Sequence, residues 1–191
     1  MKIAILGWGS LLWDIKPEFD NHHGEWKFDG PVLKLEFSRV SEKRNDALTL
    51  VIDTRNGESC QVAYTFSSRK NPDDAISDLR CREGTIIKYI GFYFSDGSRK
   101  QGRDNDSLES IATWASDNKI DVVVWTDLLS NFKEKSKCKE SFSVDNALSH
   151  LQQLDAKGKS KAAEYVWRAP DFISTPLREV LHSQSWFPKQ I

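Results

Sequence analysis

Gly7-Trp8-Gly9-Ser10-Leu11 follows directly on the apolar run Ile3-Ala4-Ile5-Leu6. Two glycines around one aromatic let backbone N–H groups converge on a small anion, and a buried strand would hold that turn rigidly from behind. A second segment offers a chemical partner. Asn71-Pro72-Asp73-Asp74 starts a helix that ends at Arg82-Glu83-Gly84. Ile76, Leu79 and Glu83 fall at i, i+3 and i+7, so the Glu83 carboxylate shares the face that packs inward. Gly84 suits the position just past a helix end, which puts Glu83 in the last turn. Desolvation and the carbonyl dipoles of a helix end both oppose a carboxylate's charge there. Two readings follow: a salt bridge to Arg39, Arg80 or Arg82, or a general base whose proton affinity is raised by its surroundings.

The elements that must position these groups divide along the chain. The first half reads as strands. Val32 to Val40 alternates, with Leu33, Leu35, Phe37 and Arg39 on one side. Leu48–Asp53 and Gln61–Phe66 flank the polar turn Thr54-Arg55-Asn56-Gly57-Glu58, a hairpin signal. Tyr89–Phe94 is a further strand. The second half reads as helices over Asp104–Asp117, Ser143–Leu154, Lys161–Arg168 and Thr175–His182, with a solvated loop over Phe132–Ser141. One apolar strand, Ile120–Trp125, interrupts them, and its Val122-Val123-Val124 run predicts burial on both faces of a sheet. Strands followed by helices predict an α+β domain spanning residues 1–191, with a motif-bearing sheet over 1–95 and a helix-rich remainder over 96–191.

Composition removes several function classes. The 27 basic and 28 acidic residues leave a net charge of −1, so no global field favours nucleic acid or an anionic membrane. Cys60, Cys81 and Cys138 form no C-x-x-C pair, which argues against zinc and predicts a reduced, cytoplasmic setting. His22-His23 lacks regular ligand spacing, so no metal is expected. No apolar run approaches the ~20 residues of a membrane span. The third glycine of a dinucleotide fingerprint is replaced by Leu12. Ser10 has no G-x-S-x-G context. Arg39 is a candidate for holding a substrate carboxylate.

Gly7-Trp8-Gly9-Ser10-Leu11-Leu12-Trp13 resembles the G-Y-G-S-L-[IL]-W loop of the γ-glutamylcyclotransferase superfamily, particularly its ChaC-like branch. Val62-Ala63-Tyr64 resembles a V-A-Y strand of that branch, and Arg82-Glu83 its Arg-Glu pair. Order and approximate spacing agree over residues 2–94. The resemblance implies an α+β fold with a small, mixed, barrel-like sheet and flanking helices. It also implies a cofactor-free mechanism in which the Gly7–Leu11 amides hold a γ-glutamyl group and Glu83 assists attack of its α-amine on its γ-carbonyl. The products would be 5-oxoproline and a released amine or peptide. The family tyrosine of the loop is Trp8 here, and residues 96–191 match none of the core motifs. A catalytically silent member that binds a ligand or partner is the alternative.

Overall fold

Every residue of the first strand, β1 (Ile3–Gly7), is buried, as its unbroken apolar run requires. The computed structural model describes residues 1–189. The remaining strands are β2 (Val32–Ser41), β3 (Ala47–Ile52), β4 (Glu58–Gln61), β5 (Ala63–Phe66), β6 (Ile90–Phe94), β7 (Lys100–Gln101) and β8 (Val122–Thr126). The helices are α1 (Pro17–Asp20), α2 (Pro72–Glu83), α3 (Asn105–Asp117), α4 (Phe132–Lys135), α5 (Val144–Gln152), α6 (Ala156–Arg168) and α7 (Pro176–Ser183). The class is α+β, and the elements group into two units interleaved in sequence. One comprises Met1–Leu33 with Gln61–Leu128, the other Lys34–Cys60 with the chain from Leu129 onward.

The first unit is built on a five-stranded sheet of order β5-β1-β8-β6-β7. β8 lies parallel to β1 and antiparallel to β6, so the valine run sits in the middle of the sheet with both faces covered. Ile3, Ile5, Val122, Val124, Ile90, Phe92 and Phe94 form one apolar surface with Ala75, Ile76 and Leu79 of α2. α3 packs on β6 and β8. The second unit holds a three-stranded sheet of order β3-β2-β4. α6 runs along β3, and α5 packs on α6 and α7.

Three expectations are corrected. The strands do not form one barrel-like sheet but two sheets, neither of them closed. Nor do the strands flanking Thr54–Glu58 pair as a hairpin: β4 bonds to β2, while β5 bonds to β1. The turn itself sends the chain elsewhere. The Asp53 carboxylate accepts from the Arg55 and Asn56 amides (3.2 and 3.1 Å), and Gly57 N–H closes on Asp53 O at 2.8 Å. A Cβ on Gly57 would stand 2.8 Å from the Leu35 carbonyl oxygen, so glycine is what lets the chain lie against β2 there. The stretch Phe132–Ser141 is also not all solvated loop. Phe132 and Ser136 are buried at the two ends of α4.

Candidate functional site

β1 ends at Gly7 because the chain must turn under an aromatic ring. A Cβ on Gly7 would lie 2.8 Å from two ring atoms of Trp26. Beyond it, Trp8 and Leu11 are buried, Ser10 is half-buried, and Ser10–Leu12 makes one 3-10 turn. Amides of Leu12, Trp13 and Asp14 close that turn onto the Gly9 and Ser10 carbonyls. The N–H groups of Trp8 to Leu11 are not among those closing donors. His23, in the His22-His23 pair, packs among aromatic rings. Its ring lies between Phe19 and Trp26 (centroids 5.0 and 5.2 Å) with Nε2 3.2 Å from Asp20. No cluster among the described residues has the make-up of a metal site.

α2 begins as its sequence dictates, with Pro72 in the first turn and the Asn71 side chain accepting from Asp73 N–H at 3.2 Å. It ends at Gly84, whose φ of 60° is the left-handed cap that glycine tolerates best. The buried face carries Ala75, Ile76, Leu79 and Arg82. Helical phase keeps Glu83 at the flank of this face, but the helix stops there, and Glu83 is half-buried rather than sealed in. The buried charge is its neighbour's. Arg82 sends one guanidinium nitrogen to Ser10 O (3.2 Å) and Asp14 O (2.8 Å), and stands 3.6 Å from the Asp14 carboxylate. Lys16 Nζ returns to Arg82 O at 3.4 Å. The α2 end that bears Glu83 is thus fastened to the loop that follows β1. Of the two arginines near the helix end, helical phase turns Arg82 inward, at i+7 from Ala75 and i+3 from Leu79.

Arg39 lies in the other unit, where its guanidinium donates to Leu129 O at 2.7 Å. Beside it Asn131 bonds both the N–H and the C=O of Val40 (2.7 and 3.1 Å), acting as a short strand. In the same unit sits a titratable group that sequence reasoning missed. Glu36 is fully buried where β2 carries a bulge between Glu36 and Arg39. One carboxylate oxygen accepts from Phe37 N–H (2.7 Å), the other from Leu177 N–H (3.2 Å), and Thr175 adds a side-chain bond. Burial still dominates and pushes the Glu36 carboxyl up to about 7. Strict alternation assigns Lys34, Glu36 and Ser38 to a polar face; Lys34 is exposed, but Glu36 meets the first turn of α7, and nothing local to β2 announces that contact.

Arg178 donates to the carbonyls of Ala169, Pro170 and Ile173 (2.9, 2.6 and 2.7 Å), closing the end of α6. Trp167 Nε1 donates to Pro188 O at 2.8 Å. Comparison of the chain with family models, with curated proteins and with solved structures finds no match.

Proposed function

We propose that the protein is a γ-glutamylcyclotransferase-like enzyme that cyclises the γ-glutamyl group of a small γ-glutamyl amine, amide or peptide to 5-oxoproline. The observation that carries this reading is the Arg82 tether, which brings the helix end bearing Glu83 to the Gly7–Leu11 loop. In this reading the loop N–H groups hold the γ-glutamyl group. The substrate's α-amine attacks its own γ-carbonyl carbon, and Glu83 accepts the proton that the amine gives up. The C–N bond to the leaving amine then breaks, and Glu83 returns that proton to the departing nitrogen. One amide bond forms and one breaks with no redox change, so the chemistry asks only for positioning, a proton carrier and charge stabilisation.

Three free thiols, Cys60, Cys81 and Cys138, support a reducing, cytoplasmic setting, and no helix among the described residues is long and apolar enough to cross a membrane. One observation favours a second reading. Trp8 stands where the resembling loop has tyrosine and is only 5 % exposed, so it packs in the core. That suits a binding protein without turnover. Incubating the purified protein with a panel of γ-glutamyl amines, amides and dipeptides separates the two. Release of 5-oxoproline from at least one compound is expected; binding without release across the panel would establish the second reading.

A further inference from the structure

The first turn of α7 leans on a carboxyl that belongs to another element. Thr175 caps the helix, accepting from Arg178 N–H at 3.3 Å through its hydroxyl and from Glu179 N–H at 3.0 Å through its carbonyl. Pro176 has no N–H to place. The amide left over, Leu177 N–H, donates to Glu36 at 3.2 Å, and the Thr175 side chain bonds the same carboxyl. Glu36 is fully buried at the β2 bulge, 141 positions from Leu177 in the chain. Its hydrogen-bond partners, Phe37, Leu177 and Thr175, include no cation. The charged groups around it do not balance it either. Asp53, just past β3, opposes its ionisation. On β4, Glu58 is exposed, and the Cys60 thiol, donating to Ser174 O, is pushed up to about 11 by burial and stays neutral. On α7, Arg178 is spent on three backbone carbonyls and Glu179 on the Ser174 hydroxyl. His150, on the α5 that packs on α7, is buried and bonded to Lys137 and Asp46.

We propose that Glu36 is a proton-operated latch for α7: the neutral carboxyl holds the helix on β2, and loss of its proton lets the helix lift. The hydrogen bonds suit either state. A hydroxyl donates to a carboxylate or accepts from a carboxylic acid, so Thr175 stays paired throughout. What changes is the charge, which is sealed from water while α7 is seated and hydrated once it lifts. Burial raises the proton affinity of Glu36 to about 7, so the proton is held or lost across the neutral range. Opening therefore grows with pH from about 4.5, where a hydrated glutamate ionises. It levels off above about 7, where the seated carboxyl has ionised as well. Lifting α7 also withdraws Arg178 from the carbonyls at the end of α6. The latch is separate from the chemistry proposed for the loop after β1 and stands or falls without it.

The test is amide hydrogen exchange of the full chain from pH 5 to 8, with each rate corrected for the intrinsic effect of pH and expressed as an opening constant. In wild type the α7 amides should open about fiftyfold more at pH 8 than at pH 5, most of the rise falling below 7. They should also open more readily than those of β3 throughout, because the helix lifts while the sheet beneath it stays formed. Glu36→Gln, which keeps the shape and cannot ionise, should give α7 a nearly level profile. His150 is intact in both proteins, so the difference between them belongs to Glu36. Parallel α7 profiles in wild type and Glu36→Gln overturn the proposal. Equal opening of α7 and β3 overturns it too, since the whole unit would then unfold at once. If Glu36→Gln does not fold, the wild-type profile decides alone: α7 opening that is level or falls from pH 5 to 7 overturns the latch.

Discussion

The Glu36 carboxyl, sealed between the Phe37 and Leu177 amides, has its proton affinity raised from 4.5 to about 7. A free glutamate loses its proton near 4.5, so between there and about 7 the unfolded chain ionises while the folded one stays protonated. Rising pH therefore favours unfolding across that window, and the cost of Glu36 is complete above about 7. His150 works with the opposite sign. It is fully buried and neutral, accepting from Lys137 N–H at 3.0 Å and bonding Asp46 O at 2.8 Å, and burial lowers its pKa below 6.5. Its cost begins as pH falls through 6.5, where the unfolded chain takes up a proton that the folded one refuses. Denaturant midpoints measured from pH 5 to 8 should separate the two. Glu36→Gln should equal or exceed wild-type stability at pH 8 and lose that advantage toward pH 5; parallel profiles for the two proteins would refute the assignment. The helix that bears Glu83 was legible because its capping residues and apolar spacing are local. Glu36 was not, because the helix that seals it lies far along the chain.

Elements whose signals are short-range were read well. α3, α5 and α7 begin where Asp104, Ser143 and Thr175 stand, and each of these side chains accepts the backbone N–H three residues on. α6 starts earlier than its apolar pattern suggests because Asp155 caps it through Gly158 N–H at 2.7 Å. Strand partners were read poorly, since alternation fixes a face and not a neighbour. Glycine marks one such partnership. Gly91 pairs across β6 and β8 with Trp125, and a Cβ there would lie 2.0 Å from the buried indole. Gly91→Ala must push that ring out of a packed interior, an overpacking cost of about 1–3 kcal/mol or more. Denaturation should show a loss of that order; unchanged stability would mean that the indole has room to move.

At the scale of the whole chain, function and topology divide differently from sequence order. The loop and Glu83 lie before residue 95, yet the sheet that carries the loop needs β8, which stands between β1 and β6. A fragment of residues 1–100 lacks that central strand and should not fold. Limited proteolysis releasing such a fragment in stable form would contradict the five-stranded arrangement. The barrel-like sheet implied by the loop motif was not realised because closure depends on hydrogen bonds between distant strands, which a short motif does not encode. The central claim rests on one carboxylate at one helix end. It is tested by the rate of 5-oxoproline release by wild type and by Glu83→Gln, on whichever γ-glutamyl compound the wild type turns over. A general base contributes roughly 10²–10⁴-fold in rate, so Glu83→Gln should slow release by at least the lower bound while binding of 5-oxoproline holds. Release by Glu83→Gln at the wild-type rate would contradict the account.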